Sequence, residues 1–154
     1  MAAEWTPDLI LDDAVLDHDH VDLFRRIARA AEALHGERAA LERAVAELSD
    51  TLVHHLAREE RMMDLLAYPE RARHRMAHEL FRADFDRMRA LIAETGPEDP
   101  VVVEWLETRI PEWLRFHIRV NDVPLAHWFA RKTSPTPGRG KAPPKPRRRE
   151  GPPS

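Results

Sequence analysis

Six residues with metal-ligating side chains fall where helical periodicity calls for apolar core residues: His20, His55, Glu59, His74, His78 and His117. A buried imidazole or carboxylate without a partner costs several kcal/mol. Six together are a large destabilisation unless they satisfy one another or a shared ion. Their spacing favours the ion. His55 and Glu59 stand four residues apart, one helical turn on one face, and so do His74 and His78. The chain of 154 residues holds nine His and no Cys. That excludes zinc–thiolate sites, iron–sulfur clusters, disulfides and cysteine nucleophiles.

Asp122 is a further ligand-type residue, but a regular α-helix carries it about 140° away from the face of His117. A π-type turn, with about 4.4 residues, brings it back to about 49°. Pro124 removes a backbone donor nearby, so a bulge or break is expected between His117 and Pro124. The other four His, at positions 18, 35, 54 and 127, lie off the seams or at helix ends and are expected to be structural or solvent-facing.

These side chains must be positioned by helices. Gly36, Tyr68-Pro69 and Gly96-Pro97 with Pro100 divide the chain into four long helical stretches. The first is expected to begin near Asp17, as N-cap, and carries His20, Phe24, Ile27, Ala31 and Leu34. The second carries Leu41, Val45, Leu48, Leu52, His55, Glu59, Met62 and Leu66. The third is expected to begin at Pro69 and carries His74, His78, Phe81, Phe85, Met88 and Ile92. The fourth carries Leu106, Ile110, Trp113, His117 and Val120, and Pro111 should kink or split it. Narrow seams and short connections predict an all-α, antiparallel up-down-up-down four-helix bundle. In that topology all the ligand-type residues gather towards one end.

Charge sets a boundary. Residues 132–154 hold seven Lys and Arg against one acid, and seven of the thirteen Pro. The other 131 residues hold 17 bases against 26 acids. The reading is an irregular arm (1–16), a bundle (17–131) and a disordered basic tail (132–154). Lys145-Pro146-Arg147-Arg148-Arg149 could meet phosphates, but the tail has no aromatics for stacking; a solvated tail and no nucleic-acid partner are expected. Neither a basic, apolar leader nor a run of about 18 apolar residues occurs, so a cytoplasmic protein with no membrane partner is expected.

Over roughly residues 5–130 the chain resembles the hemerythrin family, in particular its single-domain bacterial members. The resemblance rests on Trp5, Asp17-x-x-His20-x-x-Leu23-Phe24, His55-x-x-x-Glu59-Glu60-x-x-Met63 and Tyr68-Pro69. It extends through His74-x-x-x-His78 and Trp113-Leu114-x-x-His117-Ile118-x-x-x-Asp122. It implies a non-haem di-iron centre with an oxo or hydroxo bridge. His74, His78 and His117 would hold one iron and His20 and His55 the other, which keeps an open position. Glu59 and Asp122 would bridge the two. Leu114 is the first candidate for the wall of the oxygen pocket, followed by Ile118, Trp113 and Phe24. The implied function is reversible dioxygen binding for storage, delivery or sensing, by a monomer. The alternatives are a di-iron enzyme acting on peroxide or nitric oxide, and an iron- or oxygen-responsive regulatory module. No acid–base residue stands out beside the open position, which favours binding over catalysis. Leu56 stands where the family often has Phe, the interval from His78 to His117 is somewhat long, and the basic tail lies outside the pattern. Ligand type alone does not select iron over zinc.

Overall fold

The computed structural model describes residues 3–134. Helix α1 spans Ala14–Glu32, α2 Arg38–Leu65 and α3 Arg71–Thr95. A fourth rod follows. It consists of α4 (Pro100–Glu104), a π-helical turn (Trp105–Arg109), α5 (Ile110–His117), a second π-helical turn (Ile118–Asp122) and α6 (Val123–Thr133). Short connections make the four rods run up, down, up and down, and no strand occurs among the described residues. Most of the expected tail lies outside the described residues, and Lys132 and Thr133 belong to α6.

Local chemistry sets the ends of the helices. α1 begins three residues before Asp17, because Asp13 is the N-cap and accepts from Val15 and Leu16 N–H at 3.0 Å each. Asp17 instead accepts from Leu11 N–H at 2.8 Å and ties the arm to the helix. α3 begins at Arg71, not Pro69. The end of α2 requires Pro69 in the turn: Tyr68 N–H reaches Met63 C=O at 2.9 Å and Ala67 N–H reaches Asp64 C=O at 3.2 Å. This is a Schellman closure with Ala67 in the left-handed region at φ 47°. At the other end of the bundle Gly96 takes φ 88°, and the Arg38 guanidinium packs over it and donates to Ala93 C=O at 3.2 Å. The first residue of α2 thereby caps the end of α3.

The fourth rod is widened rather than broken. A π turn just before Pro111 leaves room for a ring that would crowd the preceding turn of a regular helix. The second π turn fills the interval in which a bulge or break was expected. Its extra residue moves Ile118 inward (0% exposed) and Val120 outward (39%), against the expectation that Val120 lies on the seam. On α1 the seam drifts by one position, so Ala30 is buried and Ala31 half-buried. Met62 and Leu66 are half-buried at the end of α2, where Met63 takes the interior.

The main core joins Phe24 and Ile27 of α1, Leu41, Val45 and Leu48 of α2, Phe81, Phe85 and Ile92 of α3, and Trp105, Leu106 and Ile110 of the fourth rod. Each such side chain contributes roughly 1.5–3 kcal/mol of burial free energy. Met63, Tyr68 and Leu125, with Trp128 packed against them, form a separate small cluster at the opposite end. Trp128 closes it by donating to Leu66 C=O at 3.1 Å.

Candidate metal centre

The seven ligand-type residues meet near the small cluster. His20 comes from α1, His55 and Glu59 from α2, His74 and His78 from α3, His117 from the last position of α5, and Asp122 from the π turn. All seven are at most 2% exposed.

The two carboxylates stand between two sets of imidazoles. Glu59 Oε2 lies 3.1 Å from His78 Nε2 and 3.4 Å from His74 Nε2, while its Oε1 lies 3.4 Å from His55 Nε2. Asp122 Oδ1 lies 3.1 Å from His117 Nε2 and 3.2 Å from His74 Nε2, while its Oδ2 lies 3.0 Å from His20 Nε2. Each carboxylate thus turns one oxygen to a three-imidazole set and the other to a two-imidazole set. Glu59, His74, His78 and His117 present ligand atoms within 4.8 Å of one another, and so do His20, His55, Glu59 and Asp122.

The donor set fits cations. Both oxygens of Glu59 and of Asp122, and the Nε2 atoms of His20 and His55, are buried without a hydrogen-bond partner. His117 Nε2 lies 3.2 Å from His74 Nε2 and 3.3 Å from His78 Nε2. Neutral rings at that distance either share a proton or set lone pair against lone pair. Cations between the two sets would satisfy the orphaned atoms and relieve the repulsion.

Three rings are held from behind. His78 Nδ1 donates to Glu60 Oε1 at 2.9 Å, and Glu60 is paired with Arg82 at 3.0 Å. His55 Nδ1 donates to Asp19 Oδ2 at 3.3 Å, and Asp19 is paired with Arg58 at 3.2 Å. His117 Nδ1 lies 3.1 Å from the amide of Asn121, which can turn its oxygen to the ring. A proton kept on Nδ1 leaves the Nε2 lone pair pointing inward. The Nδ1 atoms of His20 and His74 have no partner. The sequence reading assigned no role to Asp19, Glu60 and Asn121. Glu60 stands in the motif quoted above without a role; the signal of Asp19 and Asn121 is only adjacency to ligand positions, on helix faces where a polar residue is ordinary.

Electrostatics follow from the burial. Desolvation lowers the pKa of His117, but the Asp122 and Glu59 carboxylates outweigh it and push the group up to about 10. His55 and His74 are likewise raised against the effect of burial. Burial and mutual repulsion raise Glu59, and burial raises Asp122, yet the surrounding imidazoles hold both well below the usual carboxylate range.

The four pocket candidates divide. Leu114, Ile118 and Phe24 are at most 2% exposed in the adjoining core. Trp113 is half-buried and stacks on His117 at 4.6 Å between ring centres and 14° between planes, with Phe81 on its other side at 3.6 Å. It therefore backs the three-imidazole set. His18, His35, His54 and His127 are all exposed.

Fold and site together define a helical bundle that binds metal through histidines and carboxylates. The comparisons with known proteins specify it further. A family profile described as the hemerythrin HHE cation binding domain matches residues 11–125, and the chain belongs to that family. It is 31% identical over 125 residues to a bacteriohemerythrin of Stenotrophomonas maltophilia (strain R551-3), covering 77% of this chain and 75% of that one. It is 31% identical over 121 residues to a bacteriohemerythrin of Pseudomonas aeruginosa (strain LESB58), with the same coverage of each.

Proposed function

We propose that the chain holds two iron ions, joined by an oxo or hydroxo group, and binds dioxygen reversibly. His74, His78 and His117 hold one ion, His20 and His55 the other, and Glu59 and Asp122 serve both. The observation that carries this reading is the uneven split of three imidazoles against two around shared carboxylates. The two-imidazole side has one donor fewer, which is room for a small ligand. The iron pair, when bound, supplies the electrons that dioxygen reversibly takes up.

The chain's own residues govern what else reaches that side. Leu114, Ile118 and Phe24, buried in the core, would wall that side and exclude water, which would otherwise deliver protons and promote irreversible oxidation. Asp19 and Glu60 hold the His55 and His78 rings in the ligating tautomer. Beyond the seven ligand-type residues, the buried polar groups among the described residues include Ser49, six positions before His55, and the Tyr68 phenol in the small cluster. In the described residues no helix is long and apolar enough to cross a membrane. The proposal places a monomer in the cytoplasm with dioxygen as its ligand.

Metal content and spectra test this reading. Reduced protein with two irons per chain should gain an absorption band in air and lose it when oxygen is removed. Rapid irreversible oxidation would overturn the carrier reading in favour of an enzyme or sensor. Absence of iron would overturn the site.

A further inference from the structure

We infer that His74 is the gate through which metal ions enter and leave the centre, by way of a small pocket between the start of α3 and the second π turn. The inference rests on the ligand set proposed above and adds a route to it.

The pocket has a volume of ≈ 110 Å³ and is lined by Tyr68, Glu70, Arg73, His74, Val120 and Asn121, among others. It opens at the bundle end and reaches His74, which is itself only 2% exposed. His74 Nδ1 is buried there without a partner. In the three-imidazole set His78 is tied to Glu60, and His117 has Asn121 beside its Nδ1. His74 is the ring with nothing holding its outer nitrogen. With the outer side free, turning the ring breaks only its inner contacts, to His117 Nε2 and to Asp122 Oδ1 at 3.2 Å each, which an arriving ion replaces.

The backbone permits the motion as well. His74 lies in the first turn of α3, with its N–H on Glu70 C=O at 3.0 Å. That end has no side-chain cap. First turns open at the lowest cost in a helix.

A larger pocket of ≈ 400 Å³ reaches His55 from the side of α1 and α2. There the ring is held by Asp19, and Asp19 in turn by Arg58. Passage on that side would have to break both contacts.

The pocket's chemistry suits a cation that is losing its water. Glu70 at the rim offers a carboxylate in exchange for water, and Arg73 beside it keeps the local charge from trapping the ion. The next donor inward is His74. The ion exchanges waters for these ligands, and any imidazole proton it displaces passes to solvent.

A gate changes the rates of entry and exit together and leaves the affinity alone. The test uses the full chain stripped of metal, with Co²⁺ uptake followed by absorbance in stopped flow and loss followed with a chelator. Val120→Trp fills the pocket from a position that is 39% exposed, and Val120→Phe is a smaller plug should tryptophan disturb folding. Glu70→Gln removes the rim carboxylate, and Thr51→Trp fills the His55-side pocket as the counterpart. The plug at Val120 should slow uptake and loss about tenfold each, with final stoichiometry and Kd unchanged. Glu70→Gln should slow uptake, and Thr51→Trp neither process. Wild-type rates in both Val120 variants, or equal slowing by Thr51→Trp, would overturn the gate. Failure of the wild-type chain to take up any Co²⁺ would instead overturn the ligand set on which the gate depends.

Discussion

Each of the five buried imidazoles has two nitrogens to satisfy, and the outer one is settled differently from ring to ring. Glu60 fixes His78 and is itself fixed by Arg82. Glu60→Gln keeps the shape but removes the charge that strengthens His78 as a donor. Metal affinity should fall by about 10–100-fold in competition with a chelator; an unchanged affinity would remove Glu60 from the centre's support. Protonation gives a second prediction. The raised pKa of His117, about 10, stabilises the metal-free fold fully below the unfolded value of about 6.5 and is lost as pH rises towards 10. The lowered carboxylates stabilise it above their unfolded values near 4 and lose that effect as pH falls. The metal-free protein should therefore be most stable near pH 5–6. Metal needs deprotonated rings, so the gain in Tm on adding Zn²⁺ should grow from pH 6 to pH 9. A gain that shrinks over this range would contradict the charge assignment. At this scale six of the residues were legible because a polar group on an apolar seam is conspicuous. Asp19, Glu60 and Asn121 were not, since each sits where a polar residue needs no explanation.

At the scale of elements, the departures from expectation are local and have physical causes. Asp17 was the N-cap expected from sequence; the position of the arm gives that role to Asp13 and leaves Asp17 to hold Leu11. Pro69 suits a first turn equally well, but the closure of α2 claims it. Periodicity identified all six seam residues of α3, because no irregularity interrupts their spacing. It misplaced Val120 because a π turn inserts a residue that a constant period does not anticipate. Asp122 was readable only by allowing for that turn. The closure of α2 carries its own prediction. Ala67 holds φ 47°, where a β-carbon is strained. Ala67→Gly should stabilise the protein by about 0.5–1 kcal/mol, raising Tm by about 2–4 °C. A lower Tm would mean that the turn is not strained in the way its dihedral implies.

Across the whole molecule, the ligands are confined to one end of a bundle whose hydrocarbon core runs along its length. Leu41, Val45, Met88, Ile92, Val102 and Leu106 belong to the main core near one end, while the ligand-type residues and the cluster of Met63, Tyr68 and Leu125 lie near the other. The first region is held by burial alone and should not depend on metal. The second pairs two carboxylates with protonated imidazoles when no ion is present, an arrangement that holds only while those protons stay. The bundle should therefore open as two units in series, only one of them linked to metal supply. Amide hydrogen exchange should reveal the division. Removing metal should speed exchange in residues 14–24, 52–66, 71–81 and 113–128, and leave 41–48, 85–92 and 102–106 protected. Uniform loss of protection would mean that the units unfold as one. If they separate, iron scarcity opens only the half that iron would fill, and the half that stays folded is a ready template on which the rest re-forms when iron returns.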